Sequence, residues 1–143
     1  MILVDVNLLV YARIGGLPQS EPARGWLDGA LNGGAMVGLP WPVLLGFVRL
    51  TTNRRVFGTP LPLADAWAQV QEWLALTTVW IPTAGARHAS VLDGVLRDAE
   101  PGGDLVPDAH LAALAVEHGL ELCSTDRDFA RFSSLRWRDP LRS

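Results

Sequence analysis

Short apolar runs alternate with helix-periodic stretches from one end of this 143-residue chain to the other. Residues 2–4, 35–38, 79–81, 121–124 and 135–137 have the length and residue types of strands. The run from Asn7 to Ala12 leads from the first of them through a turn into a helix. Apolar residues then recur every three or four positions over 20–31, 41–52, 63–76, 87–97 and 108–118. Local signals bound several of these stretches. Ser20, Glu21 and Pro22 open the first and Gly33–Gly34 stops it, while Pro107 and Gly119 bracket the last. Residues 53–62, rich in Arg, Gly and Pro, are expected to form a loop. Residues 126–132 read as a short helix, and 100–103 as a break too short to join two domains. Strands separated by helices predict one domain over residues 1–143, an α/β sandwich with a mainly parallel sheet. In such folds, sites gather at the C-terminal ends of the strands.

Three segments place a short acid against strongly apolar sequence: Val4-Asp5-Val6-Asn7, Leu105-Val106-Pro107-Asp108-Ala109-His110 and Ser124-Thr125-Asp126-Arg127-Asp128-Phe129. Asp5 ends the first strand, Asp126 and Asp128 follow the fourth, and Asp108 opens a helix, so a parallel sheet lets all four converge. Two carboxylates about 5 Å apart repel by roughly 3 kcal/mol at an effective dielectric near 20. A group of four therefore strains the fold unless a cation neutralises it. Mg²⁺, or Mn²⁺ in its place, is the natural ion, because hard cations take oxygen ligands and keep waters beside substrate phosphate. Such an ion lowers the pKa of a coordinated water and permits direct phosphodiester hydrolysis. Each acid has a plainer explanation when taken singly. Asp108 complements a helix dipole, Asp126 is an N-cap, and Asp128 is a solvated helix residue. Asp5 serves no capping purpose visible in the sequence, and the combination of the four points to chemistry.

The charge pattern narrows the classes further. All 12 basic residues are Arg, since the chain contains no Lys. Phosphatases and phosphotransfer receivers, which also place an early Asp after a first strand, rely on a lysine that is absent here. A net charge of −3 argues against coating nucleic acid through bulk electrostatics. Arg49, Arg54 and Arg55 form an acid-free cluster suited to phosphate contacts, with a solvated loop face as the alternative. Five more arginines, from Arg127 to Arg142, crowd the C-terminus. Cys123 is the single cysteine and is expected to pack in the core of a cytoplasmic protein, since no apolar run approaches the roughly 20 residues of a membrane span. His110 is expected to turn away from Asp108, and His88 and His118 have no partners at metal-ligand spacing. Trp26, Trp67 and Trp73 fall on apolar helix faces and read as core or dimer interface.

The segments VDVNLLVYA, LPWPVLLGFVRLTTNRRVF, LVPDAHLAALAVEHG, STDRDFARF and RDPL, in this order along nearly the whole chain, resemble the PIN-domain ribonucleases of the VapC toxin family. The resemblance implies a PIN-like three-layer α/β/α sandwich and metal-dependent endonucleolytic cleavage of RNA. It also implies a toxin restrained by a cognate VapB-type antitoxin, and a homodimer, for which the 63–76 helix with Trp67 and Trp73 could supply the surface. It assigns Asp5, Asp108 and Asp126 as principal metal carboxylates, Asp128 as an accessory one, and Asn7 and Thr125 as polar supports. One position departs from the pattern: Gly46 stands where the family has a Glu. Four Asp residues suffice in this subgroup, or Asp104 moves in, or Gly46 is a disarming replacement of a native Glu. The missing acid also keeps open a catalytically weakened PIN-like module that binds RNA or protein.

Overall fold

The computed structural model describes residues 1–99 and 102–142. Its centre is β1 (Ile2–Val4), where Leu3 and Val4 are fully buried and Ile2 and Leu3 pair on both sides. Parallel neighbours are β2 (Val37–Gly38) on one side and β4 (Glu121–Cys123) on the other. The outer strands are β3 (Val79–Trp80) and β5 (Trp137–Arg138), so the order is β3-β2-β1-β4-β5 and every described pairing is parallel. Parallel sheets need both faces covered, and the helices divide accordingly. The helices α1 (Val6–Arg13), α2 (Ser20–Leu31), α3 (Trp41–Thr51) and α4 (Leu63–Leu74) pack in succession, α1 on α2 and α3, and α3 on α4. A separate pair is formed by α5 (His88–Leu96) and α6 (Val106–His118). Right-handed crossovers put these two groups on opposite faces. The winding reverses between β1 and β4, so the switch point, where ligands bind in open α/β sheets, lies between the strand ends that carry Asp5 and Asp126.

The expected elements are present, with differences at their ends. No turn intervenes between β1 and α1, because Asp5 itself caps the helix: its Oδ1 accepts the Val6 N–H at 2.7 Å. The segment after β4 is a 3₁₀ turn over Arg127–Arg131 in place of a longer helix, opened by Asp126. The last strand is displaced to Trp137–Arg138 because its register is fixed by pairing with Leu122 and Cys123. The expected break at 100–103 falls in part on residues 100 and 101, which lie outside the described residues, while Gly102 beyond them has a φ of 113°. Helix α6 is apolar nearly all round, with Ala109, Ala112, Ala113 and Ala115 buried, and it ends on Gly119 in the left-handed region. Cys123 is buried in the core, and among the described residues no helix is long and apolar enough to cross a membrane.

Of the three aromatic positions read as core or interface, Trp73 packs edge-on against Phe47 at 4.8 Å, and Trp26 is half-buried against the core. Trp67 is exposed together with Leu63, one turn before it on α4. At the sheet, Gly38 is a steric requirement. A Cβ there would stand 2.7 Å from Pro82 Cγ and 3.3 Å from the Ile2 carbonyl. Overpacking of this kind costs about 1–3 kcal/mol, so Gly38→Ala is expected to lower the thermal midpoint by several degrees in a denaturation scan. An unchanged midpoint would show that the Pro82 ring gives way freely.

Candidate active site

Three carboxylates from two distant stretches of chain meet at the C-terminal edge of the sheet. One oxygen each from Asp108, Asp126 and Asp128 lies within 4.8 Å of the others. Asp108 arrives on the first turn of α6, whose start is set by Pro107. Asp126 and Asp128 arrive on the turn after β4, where Asp126 Oδ1 accepts the Asp128 N–H at 2.9 Å and so holds the Asp126 side chain against the backbone that carries Asp128. Asp104, a possible substitute ligand, is exposed on the preceding 3₁₀ turn (Gly103–Leu105) and outside this group.

Asp5 borders the trio. It is 8 % exposed, and its second oxygen accepts the Ser124 hydroxyl at 2.7 Å. Ser124, fully buried, is the hub of the network: its Oγ donates to Asp5 and accepts from Asn7 Nδ2 (3.2 Å) and from the Asp126 N–H (3.0 Å). The Ser124 carbonyl in turn accepts from the Trp137 indole at 3.0 Å, which ties the turn to β5. Asn7 thus joins this network, whereas the Thr125 side chain has no hydrogen-bond partner among the described residues and the hydroxyl in the network is that of Ser124. Neighbouring residues leaving a strand face opposite ways, so choosing 124 over 125 requires knowing which face the strand end presents.

Crowding shows in the protonation of the acids. Burial pushes the Asp5 carboxyl up, against the lowering effect of the Ser124 and Val6 bonds, and the charge of Asp126 adds to the rise. Asp108 is pushed up to about 6, first by burial and then by the charges of Asp126, Asp5 and Asp128. All four acids therefore share one electrostatic environment. The Asn7 Oδ1 atom, buried in the same network, has no donor. An unpartnered buried acceptor and an all-oxygen donor set are what a hydrated hard cation such as Mg²⁺ or Mn²⁺ would fit.

The remaining candidates lie outside this network. Arg49, near the end of α3, and Arg54, in the following turn, are exposed and have no ion pair among the described residues. The histidines behave differently from the sequence reading. His110 does turn away from the acids, but it pairs through Nδ1 with His88 Nε2 at 3.1 Å, and His88 Nδ1 donates to Glu117 Oε1 at 3.0 Å. Glu117 also accepts from the Gly85 N–H at 3.0 Å. Burial pushes its carboxyl up, but the His88 and Gly85 bonds and the nearby imidazoles outweigh this and hold it below the usual range. This seam clamps α5 onto α6, the helix that carries Asp108. Spacing could not reveal it, because His88 and Glu117 lie 29 residues apart.

A cavity of about 510 Å³ between α1, α2 and α4, lined in part by Arg13, Arg24 and Trp73, contains none of the four acids. In the acidic site Asp5 is buried, Asp108 and Asp126 are half-buried and Asp128 is exposed.

The PIN-domain family model matches residues 2–135. Ribonuclease VapC33 of Mycobacterium tuberculosis is 46% identical over 142 residues, covering 99% of each chain. Two solved structures share the fold. A chain of VapBC2 from Rickettsia felis, bound to a DNA fragment from its promoter, aligns with a TM-score of 0.69 at 14% identity over 96% of this chain and 98% of that one. VapC20 of Mycobacterium tuberculosis, described as a sarcin-ricin loop cleaving toxin, aligns with a TM-score of 0.68 at 19% identity over 95% and 99%. The family match, the full-length relatives and an acidic trio at the switch point of an all-parallel sheet agree: this chain belongs to the PIN-domain family, among its VapC ribonucleases.

Proposed function

We propose that this chain is the toxin of a VapB–VapC-type pair, a Mg²⁺-dependent endoribonuclease whose metal is held by Asp108, Asp126 and Asp128 with Asp5 at the border. The observation that carries the reading is the meeting of the three carboxylates within 4.8 Å. Bound there, the ion supplies Lewis-acid stabilisation of the scissile phosphate and a more acidic attacking water. The chain's own residues do the rest. Ser124 and Asn7 hold Asp5 and the Asp126 turn in place, the Asp128 N–H orients the Asp126 carboxylate, and Arg49 and Arg54 contact phosphates of the bound RNA. The partners in this reading are RNA, a cognate VapB-type antitoxin and a second copy of the chain, with the exposed Leu63–Trp67 face of α4 as the dimer surface.

The test is cleavage of RNA by the purified protein in Mg²⁺ or Mn²⁺. Cleavage is expected to stop with EDTA, and activity persisting in EDTA would overturn the mechanism. A second expectation follows from Asp108. Its carboxyl, held up to about 6, must lose its proton to bind metal. Mg²⁺ should therefore raise the melting temperature strongly at about pH 7.5, and progressively less as the pH falls through about 6, where protons compete for the oxygen. In EDTA the sign for this group reverses. A carboxyl whose folded pKa is raised favours the folded state at low pH and loses that contribution as the pH rises past its ordinary value towards 6. Metal stabilisation of equal size at about pH 5 and pH 7.5 would remove Asp108 from the ligand set.

A further inference from the structure

Four of the five arginines beyond Ser124 are engaged. Arg131 faces Asp128 at 3.9 Å, Arg136 donates to the Gly119 carbonyl at 2.9 Å, Arg138 pairs with Glu121 at 2.9 Å, and Arg142 faces Asp139 at 3.8 Å. Arg127 has no hydrogen bond or ion pair among the described residues and is exposed, although Asp126 and Asp128 are its immediate neighbours. The Asp126–Asp128 bond explains this. It closes a turn with Arg127 at the corner, and in a 3₁₀ helix successive side chains diverge by about 120°, so the Arg127 side chain leaves the turn in a different direction from the two carboxylates. An unengaged, planar cation is thereby carried on the turn that presents the acids, whose own charge repels phosphate.

Resting on the ribonuclease reading above, we propose that Arg127 is a substrate-binding residue that grips, through its two-pronged fork, the RNA phosphate next to the one being cleaved. It supplies a positive charge beside the acidic trio that, unlike that of Arg131, is not engaged with one of the acids, and it holds the strand in register across the edge of the sheet.

The test measures binding and metal response separately. In an Asp108→Asn background, which leaves RNA intact, the anisotropy of a short fluorescein-labelled oligouridylate is followed across a KCl series. Adding Arg127→Ala is expected to weaken binding about tenfold and to lower the slope of log affinity against log salt by about 0.7. Arg127→Lys keeps the slope and recovers only part of the affinity, because the fork is lost. With Asp108 intact, Arg127→Ala should show the same Mg²⁺-induced rise in melting temperature as the unaltered chain. Unchanged affinity and slope in Arg127→Ala, or an altered Mg²⁺ response, overturns the assignment while leaving the ribonuclease reading in place. Absence of RNA binding by the Arg127-intact protein overturns both.

Discussion

Asp126→Asn is expected to reduce RNA cleavage by roughly 10³-fold or more while making the metal-free protein more stable. The two effects have one origin. Asp126 raises both of its neighbours: after burial its charge is the largest contribution to the rise of Asp108, and it adds to the rise of Asp5. Removing it relieves repulsion that the folded chain otherwise carries unneutralised. The local structure survives, since an Asn carbonyl can still accept the Asp128 N–H and the backbone bond to Ser124 does not involve the side chain. Asn nonetheless loses the negative oxygen that a hard divalent ion requires. Thermal scans in EDTA should therefore show an equal or higher midpoint for Asp126→Asn, scans in Mg²⁺ should show no further rise, and a gel assay should show intact RNA. A variant that cleaves as the parent does, or still gains stability from Mg²⁺, would place the metal elsewhere.

This coupling also separates what the sequence could disclose from what it could not. The four acids were legible because each interrupts apolar sequence at a strand end or a helix start, and strand–helix alternation alone puts such positions on one edge. The capping role of Asp5 was not, since it depends on α1 beginning at once after β1, and a one-residue junction leaves no turn signal. Nor could the sequence show that each Asp5 oxygen already accepts a hydrogen bond, from Val6 and from Ser124, or that the trio closes without it. The Glu117–His88–His110 seam is a tertiary event between two helices. It gives His110 a structural partner, in keeping with a histidine that plays no part at the acids.

Gly46→Glu is the second substitution with a large expected effect, and its sign depends on metal. Gly46 lies inside α3, and a Cβ there would meet Val6 Cγ2 at 3.4 Å, an ordinary contact with the residue that follows Asp5. A Glu side chain therefore starts without a clash beside Val6, the neighbour of Asp5, and the expectation is that it extends to the acids. Replacing a helix-interior Gly gains roughly 0.5 kcal/mol, whereas a further carboxylate about 5 Å from another costs roughly 3 kcal/mol at an effective dielectric near 20. Repulsion wins in EDTA, so the variant should melt below the parent there. Mg²⁺ reverses the order, because the same oxygen becomes a ligand. Metal affinity should rise about tenfold or more, and RNA cleavage with it. If Gly46→Glu binds Mg²⁺ and cleaves RNA no better than the parent, position 46 does not face the acids, and the site is complete with its four aspartates.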